Sequence, residues 1–93
     1  MQIQNDEHGA KGAFFIERDG EWIAEMTYKK SGDRMTIDHT EVDKSLQGKG
    51  VGKDLVEAGV EFARKNNLKI VAECPFAKKV IDETPEFQDV LAD

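Results

Sequence analysis

The segment Val42-Asp43-Lys44-Ser45-Leu46-Gln47-Gly48-Lys49-Gly50-Val51-Gly52-Lys53-Asp54-Leu55 decides the reading of the whole chain. It is a strand end that passes through alternate glycines into an amphipathic stretch, so a tight loop should deliver the backbone into a helix. Gly48, Gly50 and Gly52 leave backbone N–H groups bare at that helix start, where aligned peptide dipoles favour negative charge. Without Cβ atoms a phosphate can approach the main chain, and Lys44, Lys49 and Lys53 add positive charge. The segment therefore predicts an anion site for a phosphorylated ligand, although a glycine turn with no ligand would use the same residues.

Spacing separates this loop from two better-known ones. A P-loop, Gly-x-x-x-x-Gly-Lys-Ser/Thr, would need glycine where Gln47 stands and a hydroxyl where Asp54 stands. A dinucleotide fingerprint, Gly-x-Gly-x-x-Gly, disagrees with the Gly-x-Gly-x-Gly found here, and no long βαβ unit precedes the loop.

Working outward, residues 1 to 11 are polar and predict an edge strand or a loose start. Ala13-Phe14-Phe15-Ile16 is a short apolar run, and Asp19-Gly20 is a dipeptide preferred in two-residue hairpin turns. The next strand, residues 21 to 30, alternates Trp22, Ala24, Met26 and Tyr28 on an apolar face with Ile23, Glu25, Thr27 and Lys29 on the other. A third strand, residues 34 to 42, carries Met35, Ile37 and His39 on one face and Thr36, Asp38, Thr40 and Val42 on the other, unless a bulge swaps them. After the loop, residues 51 to 66 predict a helix with Val51, Leu55, Ala58, Gly59 and Phe62 on its packed side. Residues 69 to 74 then read as a central strand, parallel to the strand before the loop. Pro75 opens a further helix, and Thr84-Pro85 predicts an N-cap and a final short helix. The expected fold is mixed α+β: antiparallel N-terminal strands leading into one βαβ unit.

The bulk properties narrow the functions. Ninety-three residues, 39% hydrophobic and 34% charged, suit a single domain over residues 1–93. A net charge of −6 argues against general nucleic-acid binding. No apolar run approaches membrane-spanning length. The start, Met1 to His8, lacks a basic and apolar leader, and the lone Cys74 fits a reducing compartment, so a cytoplasmic location is expected. One cysteine and two separated histidines, His8 and His39, predict no metal site.

Gln47, Gly50 and Gly52 match Gln/Arg-x-x-Gly-x-Gly/Ala after a strand, and in this the segment resembles the acetyl-coenzyme A loop of the GCN5-related N-acetyltransferases. His39-Thr40-Glu41-Val42 before it, with Cys74-Pro75-Phe76 and Thr84-Pro85-Glu86-Phe87 after it, resemble the short stand-alone members of that superfamily. The resemblance implies acetyl-coenzyme A or coenzyme A as cofactor, with its pyrophosphate on Gln47, Gly48, Lys49, Gly50, Val51, Gly52 and Lys53. It also implies a pantetheine arm in a splayed cleft between the two parallel strands, against Thr40, Glu41 and Val42. Function would be transfer of an acetyl group to an unidentified amine, a lysine or a small polyamine. The alternative is a non-catalytic coenzyme A or acyl-coenzyme A module acting as sensor or adaptor. Longer members carry helices between their first two strands, whereas Asp19-Gly20 joins the strands directly here. The acceptor site is then either open or completed by another protein.

Cys74 and His39 are the catalytic candidates. Cys74 stands before a helix start that would stabilise a thiolate, as acyl acceptor or as proton donor to the departing thiol; it could equally be an inert buried residue. His39 offers an imidazole that could deprotonate an amine, or it could simply bond across the sheet. Glu41 and Glu73 are further candidate bases at strand ends, and Phe76 and Phe87 either staple the C-terminal helices or border the pantetheine slot.

Overall fold

The computed structural model describes residues 2–92. Strands β1 (Gln4–His8), β2 (Lys11–Arg18), β3 (Glu21–Ser31) and β4 (Arg34–Val42) form an antiparallel meander. Asp19 and Gly20, with φ of 53° and 81°, supply the two left-handed residues of the β2–β3 hairpin turn. A 3₁₀ turn, Lys44–Leu46, leads to helix α1 (Val51–Lys65), which crosses over to β5 (Lys69–Ala72). β5 pairs parallel to β4, completing the βαβ unit, and helix α2 (Pro75–Glu83) and a second 3₁₀ turn (Pro85–Val90) come after it.

Three expectations need correction. The sheet order is β1-β2-β3-β4-β5, so β5 is an edge strand and not a central one. Its outer side carries only a bridge from Ile70 to Leu91 and a bond from the Ala92 amide to the Ile70 carbonyl. The apolar run at Ile70 reflects packing under the helices, not strands on both sides. β5 also stops at Ala72, before Cys74. Finally, the Thr84 side chain does not cap the segment after it; its hydroxyl donates to the Val80 carbonyl at 2.8 Å, and the last turn is 3₁₀.

Two bulges reset which side chains face the helices. In β3, Ile16 opposes Ala24 but Glu17 opposes Trp22, leaving Ile23 as the extra residue. Ala24, Met26 and Tyr28 are buried under the helices, whereas Trp22 turns to the helix-free face and stacks on Phe15 at 4.0 Å. In β4, Thr27 opposes His39 and Tyr28 opposes Ile37, so Asp38 is extra. Met35 and Ile37 stay in the core, but Thr40 and Val42 join their side and His39 moves to the opposite one.

Both helices pack on one sheet face, with Leu55, Val56, Val60, Ile70 and Ile81 fully buried among β3 and β4 residues. Arg64 fastens the C-terminal turn to α1: its guanidinium donates to both Asp89 carboxylate oxygens, at 2.7 and 3.0 Å, and to the Glu86 carbonyl. β1 is tied across β2 to β3 through Tyr28, whose hydroxyl donates to Glu7 at 2.6 Å and accepts from Asn5 at 3.0 Å. The Tyr28 bond, helped by Lys30, holds the Glu7 carboxyl below its ordinary range, while burial and Glu7 push the Tyr28 phenol well above its own. The signs are opposite. Glu7 contributes stability that is lost as pH falls through the carboxylate range, and Tyr28 contributes stability that is lost as pH rises beyond about 10. Tyr28→Phe should cost about 1 kcal/mol at neutral pH and flatten the alkaline limb. Melting temperatures measured from acid to alkaline pH test this, and an unchanged alkaline limb would refute it.

Candidate functional site

The ladder between the two parallel strands covers Arg34–Ile37 against Lys69–Ala72 and then stops. The Ile37 carbonyl accepts from the amides of both Glu73 and Cys74, at 3.0 Å each, and Pro75 turns the chain into α2. β4 meanwhile continues through Val42 with β3 as its partner, so its other edge is left without a strand from Asp38 onward. A notch opens between the two strands.

Beside this notch lies a pocket of about 490 Å³. Its lining comes from Thr40 and Val42 of β4, from Leu46, Gln47, Gly48 and Gly50 of the loop, from Val51, Gly52 and Lys53 of the first turn of α1, and from Phe76 and Val80 of α2. The loop is braced from within. Asp43 accepts from the Ser45 amide at 3.0 Å and its hydroxyl at 2.6 Å, and the Gln47 side-chain amide donates to the Val42 carbonyl at 3.2 Å. Gly48 and Gly50 then take φ of 81° and 76°, a left-handed backbone that a side chain would strain. Gly50 is the N-cap of α1 and offers no side chain to its first amides. The amides of Gly48 through Lys53 accordingly have no hydrogen-bond partner among the described residues, the Asp54 amide being the first to find one, on the Gly50 carbonyl. Five of these six residues, Gly48, Gly50, Val51, Gly52 and Lys53, line the pocket beside the positive end of the helix, and an anionic group is what that wall fits.

Cys74 lies where the parallel ladder ends, buried at 6% exposure and behind the pocket lining, with its sulfur 3.4 Å from the Thr40 hydroxyl oxygen. Burial alone would push its thiol up. Hydrogen bonds from the Thr40 hydroxyl and from the main-chain amides of Ala77, Phe76 and Thr40 favour the thiolate more strongly and leave the thiol below its ordinary value.

Of the residues singled out in the sequence, Thr40, Val42, Gln47, Gly48, Gly50, Val51, Gly52 and Lys53 line the pocket. Lys49 is exposed on the loop, and Glu41 and His39 lie on the helix-free face, where the imidazole sits 3.3 Å from the Glu41 carboxylate. The face expected for His39 is thus reversed by the Asp38 bulge. Phe76 borders the pocket, half-exposed, while Phe87 is core. Leu46 and Val80 were missed. Val80 lies one helical turn beyond Phe76, the spacing that puts both on one side of α2, so a helical projection would have found it. Among the described residues no cluster of three or more His, Cys, Asp or Glu could hold a metal ion, and no helix is long and apolar enough to cross a membrane.

Comparison with known proteins bears on this arrangement. A family model described as GCN5-related N-acetyl-transferase matches residues 13–90. Protein NATD1 of Gallus gallus is 32% identical over 63 residues, which cover 67% of this chain and 57% of that protein. This chain thus spans little more than half the length of the curated relatives it matches. A solution structure from Staphylococcus aureus, described as GCN5-like, is 39% identical with a TM-score of 0.73, across 98% of this chain and 87% of that one. A structure from Bacillus anthracis in complex with acetyl coenzyme A shares the fold at 22% identity and a TM-score of 0.58, over 70% of this chain and 39% of that one.

Proposed function

Because this chain belongs to the GCN5-related N-acetyltransferases, we propose that it transfers an acetyl group from acetyl-coenzyme A to an amine. The observation that carries this is the unpartnered amides of Gly48, Gly50, Val51, Gly52 and Lys53, residues that line the pocket beside a β4 edge that has lost its strand. Those amides and the Lys53 ammonium would hold the pyrophosphate, and the main chain of Thr40, Glu41 and Val42 would hold the pantetheine arm. Bound acetyl-coenzyme A supplies a thioester to an attacking amine. The chain itself supplies position, through the braced loop and the rigid end of β4. It also supplies a proton site: the Cys74 thiol, poised toward ionisation beside Thr40, can hold and release a proton at the notch. A single free thiol stays reduced in the cytoplasm, where we place the protein.

Coenzyme A titrated against amide chemical shifts should move residues 40 to 53 and Cys74 together, and silence there would overturn the reading. With acetyl-coenzyme A and a panel of lysine peptides and polyamines, free thiol should be released. Cys74→Ala should lower kcat and leave coenzyme A affinity unchanged; equal kcat would remove Cys74 from the reaction.

A second reading has its own support. Among the described residues no carboxylate or imidazole lines the pocket, and β2 joins β3 through a two-residue turn with no intervening helix. That suits a coenzyme A or acyl-coenzyme A binding module acting as sensor or adaptor, or an enzyme whose acceptor side a partner protein completes. Tight binding without turnover on every amine would favour it.

A further inference from the structure

One side chain outside the pocket determines what β4 presents to it. With strict alternation from Ile37, His39 would face the helices and Thr40 would face away. The extra residue, Asp38, reverses this, and it is held in place. The Thr27 hydroxyl donates to Asp38 Oδ1 at 2.5 Å across the ladder, and the Lys29 ammonium lies 4.0 Å from Oδ2. The register changes between Thr27 and Tyr28, at the residue that makes the bond. Bulges of this kind re-aim a side chain beside a site. Here the re-aimed residue is Thr40, which lines the pocket and contacts the Cys74 sulfur.

The geometry points to Asp38 as a positioning residue: fastened to the Thr27 hydroxyl, its carboxylate holds the bulge that turns Thr40 toward the pocket and onto the Cys74 sulfur. Asp38 touches neither the pocket nor the thiol and acts through the backbone it pins. Its link to cofactor affinity rests on the function proposed above; its effect on Cys74 does not.

The test uses the thiol as its own reporter, since Cys74 is the only cysteine of the chain. In Thr27→Val, which keeps the shape and removes the donor, the ultraviolet absorbance of the thiolate should titrate at higher pH than in the unaltered protein. Alkylation by iodoacetamide at neutral pH should slow at least threefold, and coenzyme A binding should weaken at least threefold. Thr27→Ser restores the donor and should bring both back within twofold, a rescue that loss of packing alone would not show. Asp38→Ala should match Thr27→Val and provides the same readout if that variant does not fold. An unchanged thiolate titration in folded Thr27→Val or folded Asp38→Ala overturns the proposal. If the unaltered protein fails to bind coenzyme A, the cofactor reading falls, and the thiolate titration still decides the role of Asp38.

Discussion

A Gly52→Val variant should bind coenzyme A at least about a hundredfold more weakly than the unaltered chain, while folding normally. Gly52 has no left-handed φ, so its backbone accepts a side chain, and it lies half-buried in the first turn of α1. What it lacks is room. A Cβ there would come within 2.5 Å of the Phe76 ring, so the ring, 43% exposed and lining the same pocket, must shift. The new side chain and the displaced ring would together cover amides of the Gly48 to Lys53 wall. Each charge-assisted hydrogen bond is worth about 1.5–3 kcal/mol, and about 2.7 kcal/mol corresponds to a hundredfold in affinity. Calorimetric titration with coenzyme A reads this directly. Affinity within threefold of the original, in a variant with unchanged melting temperature, would mean that the ligand does not lie against this helix start.

The largest loss of stability is expected at Leu55. It is fully buried on the inner side of α1, packed in the same cluster as Met26, Ile37 and Ile81. Leu55→Ala removes apolar contact and leaves a cavity that a close-packed core closes only partly, a cost of about 2–5 kcal/mol. Domains of this size have only about 5–15 kcal/mol of total stability, so the variant should be close to unfolding at moderate temperature. Denaturant unfolding should show a lower midpoint at an unchanged slope, and the melting temperature should fall by about 10 °C or more. A loss under about 1 kcal/mol would mean that α1 is not the element that closes the core.

Those two residues, one at the site and one in the core, also show how far the chain could be read unaided. Local chemistry carried the reading well. Asp19-Gly20 named its turn, Gly50 and Pro75 marked the starts of two helices, and Val51, Leu55 and Gly59 marked part of the buried side of α1, which Val56, Val60 and Ala63 complete while Ala58 and Phe62 lie at its margin. What local chemistry could not supply was register. An inserted residue at Ile23 and another at Asp38 each shift a strand by one, and one residue is enough to send Trp22 and His39 to the far face. A trace of the second was present: Ile37 and Val42 are both apolar but differ in parity, and both can face the helices only across a bulge. The position of β5 was hidden for another reason. Ile70 and Ala72 are apolar because helices cover them, and sequence does not distinguish cover by a helix from cover by a neighbouring strand. The pocket was legible where backbone chemistry made it and obscure where side chains from α2 completed it, as with Val80.

The two outer margins of the sheet bear on how the molecule behaves in a crowded solution. β1 offers five residues, most of them exposed and two of them acidic, while β5 offers four, opened by Lys69 and capped along its flank by Leu91 and Ala92. Short, charged and partly screened, neither margin gives a passing chain a long flat template to copy, so an open sheet of this size is protected from self-templated aggregation by its own borders.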